Sequence, residues 1–326
     1  MKRLNLTIVL FLLLQSSCFC SDVNNDSLNE NRGRRGDDDP MRWVAVKYAP
    51  FIYHAAEADG GRQDIISNID FDGDFVGNNN WENFEKFKLR PTVYYAILET
   101  ETHYFVSFHL FHPRDWSCFT IWLNDTHEND GENIQVVVRK RDGRVVLLWA
   151  QAHYNSEVCA MPWSGVSSGE EDIVGGFELV DSSGVPDTSA SHIAVFVESG
   201  GHGIYGTLSP RSEVRINQDG TYAFEDGTGL LFQPAFDSEA AEPQSFMHGD
   251  VPYELQSTTR LLWPMLRDGF LTGDGKLLDG SVEYADNLVR IREVPRYYDA
   301  DRFSGPLGSD RGISPFALGF HFDKGA

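Results

Sequence analysis

The chain has 326 residues, 41% of them apolar and 13% aromatic, a composition that can bury a substantial core and, with 22 Phe, 12 Tyr and 7 Trp, favours β-structure. Its formal net charge of -22 excludes nucleic acid recognised through phosphates, which needs clustered Lys and Arg, and disfavours purely electrostatic docking to anionic lipid. Such a chain suits cations, although most of its charge is solvated surface.

Residues 1–20 read as a secretory signal: Lys2 and Arg3, an apolar run from Leu4 to Leu14, then Cys18-Phe19-Cys20 before a cut. The run is too short to span a bilayer and no later segment is longer, so the sequence predicts a secreted or periplasmic protein with no integral membrane span. The alternative is a lipoprotein anchored at Cys18, because Gln15-Ser16-Ser17-Cys18 is a distant relative of a lipid-attachment box. Residues 21–42 are polar and charge-blocked and read as a disordered leader. Residues 43–326 then form a single domain, with a wrapping C-terminal extension from about residue 236.

The first strand signals are Trp43 to Tyr48 and, past Pro50, Phe51 to His54. Residues 69–84 (IDFDGDFVGNNNWENF) are a turn-rich block in which Asp70, Asp72 and Asp74 alternate as at the start of a calcium loop. The glycine and closing Glu are not at EF-hand offsets, so a surface loop of Asx turns competes with a second metal site. Thr92–Thr100 and Tyr104–Phe111 form a hairpin about Glu101-Thr102, and residues 134–139 and 145–152 another about Asp142-Gly143. Ser191–Glu198 is a buried strand that runs into the Gly-rich Ser199-Gly200-Gly201-His202-Gly203, and three short strands fall between Val214 and Phe232. One helix is expected, Glu254–Leu266, and one last strand near 316–322. The whole reads as all-β: an antiparallel two-sheet β-sandwich with long loops and a short helix in the C-terminal part.

Chemistry concentrates between the two hairpins. Asp115, His127, Asp130 and Glu132 crowd into one segment, the last three as H-x-x-D-x-E, a spacing that lets one turn aim all three inward. Three carboxylates and an imidazole suit a hard divalent cation, calcium or magnesium ahead of manganese, rather than a closed structural zinc site. A bound cation would also relieve the mutual repulsion of the carboxylates. Outside the leader two cysteines remain, Cys118 and Cys159, expected to pair in an oxidising compartment and close a loop of roughly forty residues. His202, His153 and Trp116 are candidate ligand contacts at the rim, while His109 and His112 read as structural strand residues. Trp81 and Trp163 could stack on sugar rings if exposed or serve as core. Asn124-Asp125-Thr126 is a glycosylation sequon.

Phe111-His112-Pro113-Arg114-Asp115, followed by H-x-x-D-x-E and a Val-rich strand, resembles the necrosis- and ethylene-inducing-peptide-like secreted cytolysins. In that family an aromatic-Pro-Lys-Asp segment precedes GHRHDWE. The Val195–Gly206 segment (VFVESGGHGIYG) is similar both to a Ser-x-His-Gly segment there and to a Gly-Ser-His-Ala segment of vacuolar-protein-sorting-62-like proteins. The resemblance covers residues 90–206 in outline and departs from the motif at Thr126, Glu128, Asn129 and Gly131. It implies a divergent member of that β-sandwich superfamily, with a divalent metal on Asp115, His127, Asp130 and Glu132 in a cavity at one end of the sandwich. It further implies recognition of a sphingolipid sugar head group.

The functional reading is a secreted, monomeric, divalent-metal-binding protein that takes a glycan or glycolipid head group, with cytolysin-like activity as the family would imply. The alternative is a metal-dependent esterase or phosphodiesterase using a metal-bound water beside His127 or His202. The sequence carries no G-x-S-x-G and no H-E-x-x-H, which favours binding over turnover.

Overall fold

The computed structural model describes residues 39–57, 61–115, 118–120, 123–124, 127–152, 155–166, 173–236, 238–262, 264–265, 276–279 and 290–293. For 78, 118–120, 123–124, 127–128, 155, 276–279 and 290–293 it describes the backbone alone. The signal and nearly all of the leader, Trp116, His153 and the expected strand at 316–322 lie outside these residues. No helix among the described residues is long and apolar enough to cross a membrane.

The chain opens on a short helix, α1 (Arg42–Lys47), where the sequence suggested a strand. The buried residues explain the difference: Val44, Ala45 and Tyr48 recur at helical spacing, and Trp43 faces solvent. Then β1 (Phe51–Ala55), buried on both faces, leads through the Asp-rich block to a 3₁₀ turn at Gly77–Asn79 and a single-turn helix α2 (Asn80–Asn83). The expected hairpins follow as β2 (Thr92–Glu99) with β3 (His103–Asp115), and β6 (His127–Arg139) with β7 (Arg144–Ala152). Two short strands, β4 (Cys118–Thr120) and β5 (Leu123–Asn124), pair with each other between β3 and β6. Next come β8 (Asn155–Ala160), β9 (Leu179–Val180), β10 (His192–Val197) and β11 (Ile204–Gly206). The later strands are β12 (Val214–Ile216), β13 (Tyr222–Phe224), β14 (Gly229–Pro234), β15 (His248–Ser257), β16 (Lys276–Asp279) and β17 (Arg290–Glu293).

The sheet is not the expected clean antiparallel sandwich. Thirteen strands join in one mixed sheet in the order β11-β10-β1-β14-β15-β2-β3-β6-β16-β17, with β7, β8 and β9 branching from it; β4–β5 and β12–β13 are separate small ribbons. Three of its pairings, β1 with β10, β14 with β15 and β15 with β2, are parallel. Parallel partners need long crossovers, so the chain returns to the sheet middle with distant segments, and local hairpin signals do not reveal this. The expected helix at Glu254–Leu266 is another correction. Val251, Tyr253, Leu255 and Ser257 are buried in alternation, so residues 254–257 pair with β2 as a strand, and Thr258–Leu262 coils as a π-type turn.

The sheet curls so that one face encloses the main core. Ile52 of β1, Val106, Phe108 and Leu110 of β3, and Ile134, Val136 and Val138 of β6 all belong to it. The other face of β1 and β10, with Phe51, Tyr53 and Phe196, is covered by the β12–β13 ribbon through Val214, Ile216 and Phe224. Each such buried aliphatic or aromatic side chain contributes about 1.5–3 kcal/mol relative to exposure. The curl is closed where β11 lies against β8: a Cβ at Gly206 would collide with the Gly176 carbonyl and stand 3.0 Å from Cys159 Sγ. Gly206→Ala is expected to cost about 1–3 kcal/mol by overpacking this contact. Thermal melting checks it, and a wild-type melting temperature would show that the closure has more slack than described.

Candidate functional site

Alternation carries the inner face past its apolar rows into a polar end. On β3 the row Val106, Phe108, Leu110 continues to His112; on β6 Val138, Val136, Ile134 continues to Glu132 and Asp130; on β1 Ile52 is followed by His54. The register sets His112 opposite Asp130 and Leu110 opposite Glu132. His54, His112, Asp130 and Glu132 are fully buried.

His202 arrives from the opposite edge. The turn between β10 and β11 closes with Glu198 N donating to the Gly203 carbonyl at 3.1 Å, and it takes left-handed dihedrals at Gly200 (φ 76°) and at His202 itself (φ 58°). A side chain larger than glycine is uncommon there, and such strain concentrates at functional positions. Asp64 anchors the turn: its Oδ1 accepts from Gly200 N at 2.8 Å and its Oδ2 from Glu57 N at 2.9 Å. His202 Nδ1 lies 2.8 Å from Asp130 Oδ2, and its Nε2 stands 3.4 Å from Asp64 Oδ1, at ion-pair rather than hydrogen-bond range. The rings of His202 and His112 stack at 3.7 Å and 11°. His54 Nε2 faces His112 Nε2 at 3.0 Å, and His54 Nδ1 is 2.7 Å from the Ala55 carbonyl. The nitrogens offered by His54, His112 and His202 all lie within 4.8 Å of one another, the converging group of three potential ligands among the described residues.

These surroundings split the histidines electrostatically. Burial pushes His54 down to about 4 against the pull of Asp64, and pushes His109 down to about 4 as well. Burial, then the charges of His202 and His54, hold His112 well below the ordinary histidine value. For His202 burial acts downward too, but the contacts with Asp130 and Asp64 and their charges outweigh it and hold the ring up at about 10. A cationic imidazole between two carboxylates therefore stacks on a neutral one.

Of the sequence-selected residues, Asp130 and Glu132 sit at this polar end, and Asp115 is buried at the end of β3, its register partner being His127. Between the pairs Asp115–His127 and His112–Asp130, Asn129 takes φ 64° with no shift in the β3–β6 register, so Asp115 and His127 fall on the face opposite Asp130 and Glu132. The Asn129 side chain accepts from Asn80 Nδ2 and donates to the Gly77 carbonyl at 2.7 Å, so the Asn-rich block of the sequence braces the start of β6. The Asp-rich part of that block is built of turns. Asp70 takes Asn68 Nδ2 at 2.8 Å, Asp74 caps Val76 N at 2.7 Å, and Asp72 takes Asn83 Nδ2 at 2.7 Å. Cys159 is a free buried thiol 3.1 Å from the Val174 carbonyl, pushed up to about 12 by burial; the expected bridge to Cys118 is not formed. Its sulfur instead faces the interior against Gly206. Trp81 is core, stacked 4.1 Å beneath the Arg114 guanidinium, and Trp163 is covered by Arg144 at 4.1 Å.

Sequence reasoning missed two members. His54 stood in the apolar run FIYHAA, where a histidine must find a buried partner, and that was the available signal. Asp64 had none beyond preceding Ile65 and Ile66.

No known protein family matches the sequence, and no curated protein does. Among solved structures the fold is similar to NLPPya in complex with glucosamine, 14% identical with a TM-score of 0.32 over 53% of this chain and 70% of that one. It is also similar to a protein described as "Toxin fold for microbial attack and plant defense", 17% identical with a TM-score of 0.29 over 53% and 70%. A third is Necrosis and Ethylene inducing Protein 2 from the causal agent of cocoa's Witches Broom disease, 11% identical with a TM-score of 0.29 over 69% and 76%. A likeness this distant assigns no residue and no activity.

The two kinds of histidine give opposite pH limbs. His54, His109 and His112, neutral when folded, make stability fall as pH drops from about 6.5 towards 4, because the unfolded chain then binds more protons. His202, raised to about 10, contributes stability that is complete below about 6.5 and fades as pH climbs towards 10. Chemical denaturation in chelator should show both limbs, and His202→Gln should flatten the alkaline one between about pH 6.5 and 9; an unchanged alkaline limb in that variant contradicts the assignment.

Proposed function

We propose that the protein is a divalent-cation-dependent binder of a glycan or glycolipid head group, cytolysin-like in type. The supporting observation is that three carboxylates, Asp115 on β3 and Asp130 and Glu132 on β6, are all buried. Burying a carboxylate costs several kcal/mol unless charge or hydrogen bonds compensate, and a hard cation is the compensation that also leaves positions for sugar hydroxyls. Asp115, Asp130 and Glu132, with His127 at the head of β6, would hold the ion. It would supply an electrophilic contact for vicinal hydroxyls and neutralise the carboxylates. The distant structural neighbour solved with glucosamine, and another with mannosamine, suggests amino sugars as the first ligands to try.

Secretion and action on membranes belong to the same proposal, resting on the leader and on the sequence resemblance. Calcium should raise the melting temperature, and Glu132→Gln should weaken calcium binding tenfold or more. It should also abolish calcium-dependent retention on amino-sugar resin and leakage from vesicles containing glycosylated sphingolipid. Calcium binding at wild-type affinity in a folded Glu132→Gln protein would overturn the site, and retention that persists in chelator would overturn the cation dependence.

A further inference from the structure

The three histidines form a different donor set from the carboxylates, and we infer that His54, His112 and His202 are the ligands of a second metal site, for a first-row transition ion of the zinc class. This goes beyond the hard-cation reading and needs neither Asp115, Glu132 nor His127. Imidazole nitrogen suits zinc, copper, iron or nickel, whereas calcium and magnesium take oxygen.

Two of the rings are held as metal-binding imidazoles are held. The Ala55 carbonyl can only accept, so His54 Nδ1 carries the proton and its Nε2 presents a lone pair towards His112. His202 Nδ1 donates to Asp130, which leaves Nε2 as its inward atom. An outer carboxylate or carbonyl on Nδ1 with the metal on Nε2 is the arrangement that orients such ligands and raises their basicity.

The third ring gives an independent sign. His112 Nε2 lies 3.0 Å from His54 Nε2, and its Nδ1 has no hydrogen-bond partner although the ring is wholly buried. If Nε2 carries the proton, a bare Nδ1 is buried with nothing to accept from; if Nδ1 carries it, two lone pairs confront each other. Either tautomer leaves a buried ring nitrogen without a matching partner. A cation between the facing nitrogens removes the confrontation; two tetrahedral imidazole ligands at about 2.0–2.1 Å sit about 3.3 Å apart, so the rings need part by only a few tenths of an ångström.

His202 completes the set when the entering ion displaces its Nε2 proton and the ring tilts out of its 11° stack on His112; that Nε2 lacks a hydrogen bond and stands 3.4 Å from Asp64 Oδ1. Asp64, fixed by two backbone amides, is thereby the neighbouring carboxylate for the ion. The ligands come from β1, β3 and the β10–β11 turn, segments far apart in sequence, so the ion would tie the curl of the sheet together. Full burial implies loading during folding and slow exchange.

The test uses the full chain without an affinity tag, stripped with chelator and titrated with Co²⁺ as an optical stand-in for zinc. The expected result is one equivalent bound with visible d–d absorption and a raised melting temperature. His54→Gln and His112→Gln, folded by circular dichroism, should lose the absorption, while Glu132→Gln keeps it and loses calcium binding. Absence of Co²⁺ binding by folded wild-type protein, or an unchanged spectrum in both histidine variants, overturns the site whatever calcium does. Should the variants not fold, X-ray absorption at the zinc edge of the wild type decides: a shell of imidazole nitrogens supports the site, and an oxygen-only shell overturns it.

Discussion

Everything at the polar end of this molecule depends on placing Asp130 and Asp64 on either side of His202 inside the protein. All three side chains are nearly or wholly withdrawn from solvent. Ions so placed lose several kcal/mol of hydration each, and only close contact with opposite charge and oriented dipoles offsets that loss. The contacts are present: Nδ1 to Asp130 at 2.8 Å, Nε2 to Asp64 at 3.4 Å, and two backbone amides on Asp64. Deleting one partner of such a set characteristically costs 3–5 kcal/mol, because a charge is then left buried alone.

That constraint acts on the fold as much as on the site. Asp130 lies on β6 and His202 follows β10, strands far apart in the order of the mixed sheet. Only a curled sheet brings them together, and Gly206, with no room for a Cβ, lets β11 close on β8. The left-handed His202 is then the cost of aiming an imidazole inward from a tight glycine turn. The apolar rows of β1, β3 and β6 supply the driving force, and the polar residues that extend those rows inherit their burial.

The sequence made the local structure legible and the long-range structure largely opaque. Period-two patterns located β2, β3, β6, β7 and β10, and the glycine-flanked His202 stood out as the end of a buried strand. Asp130 and Glu132 were recognisable because donors in H-x-x-D-x-E are dense. The parallel pairings of β1 with β10 and of β15 with β2 have no local signal, since parallel partners are set by packing across the whole sheet. Those pairings build the part of the sheet that carries His54. His112 looked structural because alternation put it beside Leu110; alternation was right about the face, and the face turned out to end in chemistry. The first residues of the expected helix Glu254–Leu266 belong instead to β15: Glu, Leu and Gln favour helices, but burial there alternates.

The interior passes from hydrocarbon to buried imidazoles and carboxylates, for which two cation sites are proposed. The measurement that bears most directly on them is anomalous diffraction from crystals of the full chain grown with zinc and calcium, at wavelengths that separate the two. The account predicts a zinc peak among the rings of His54, His112 and His202, and calcium density against Asp115, Asp130 and Glu132. Peaks confined to the turns at Asp70, Asp72 and Asp74, or an interior with no metal at either place, would contradict it.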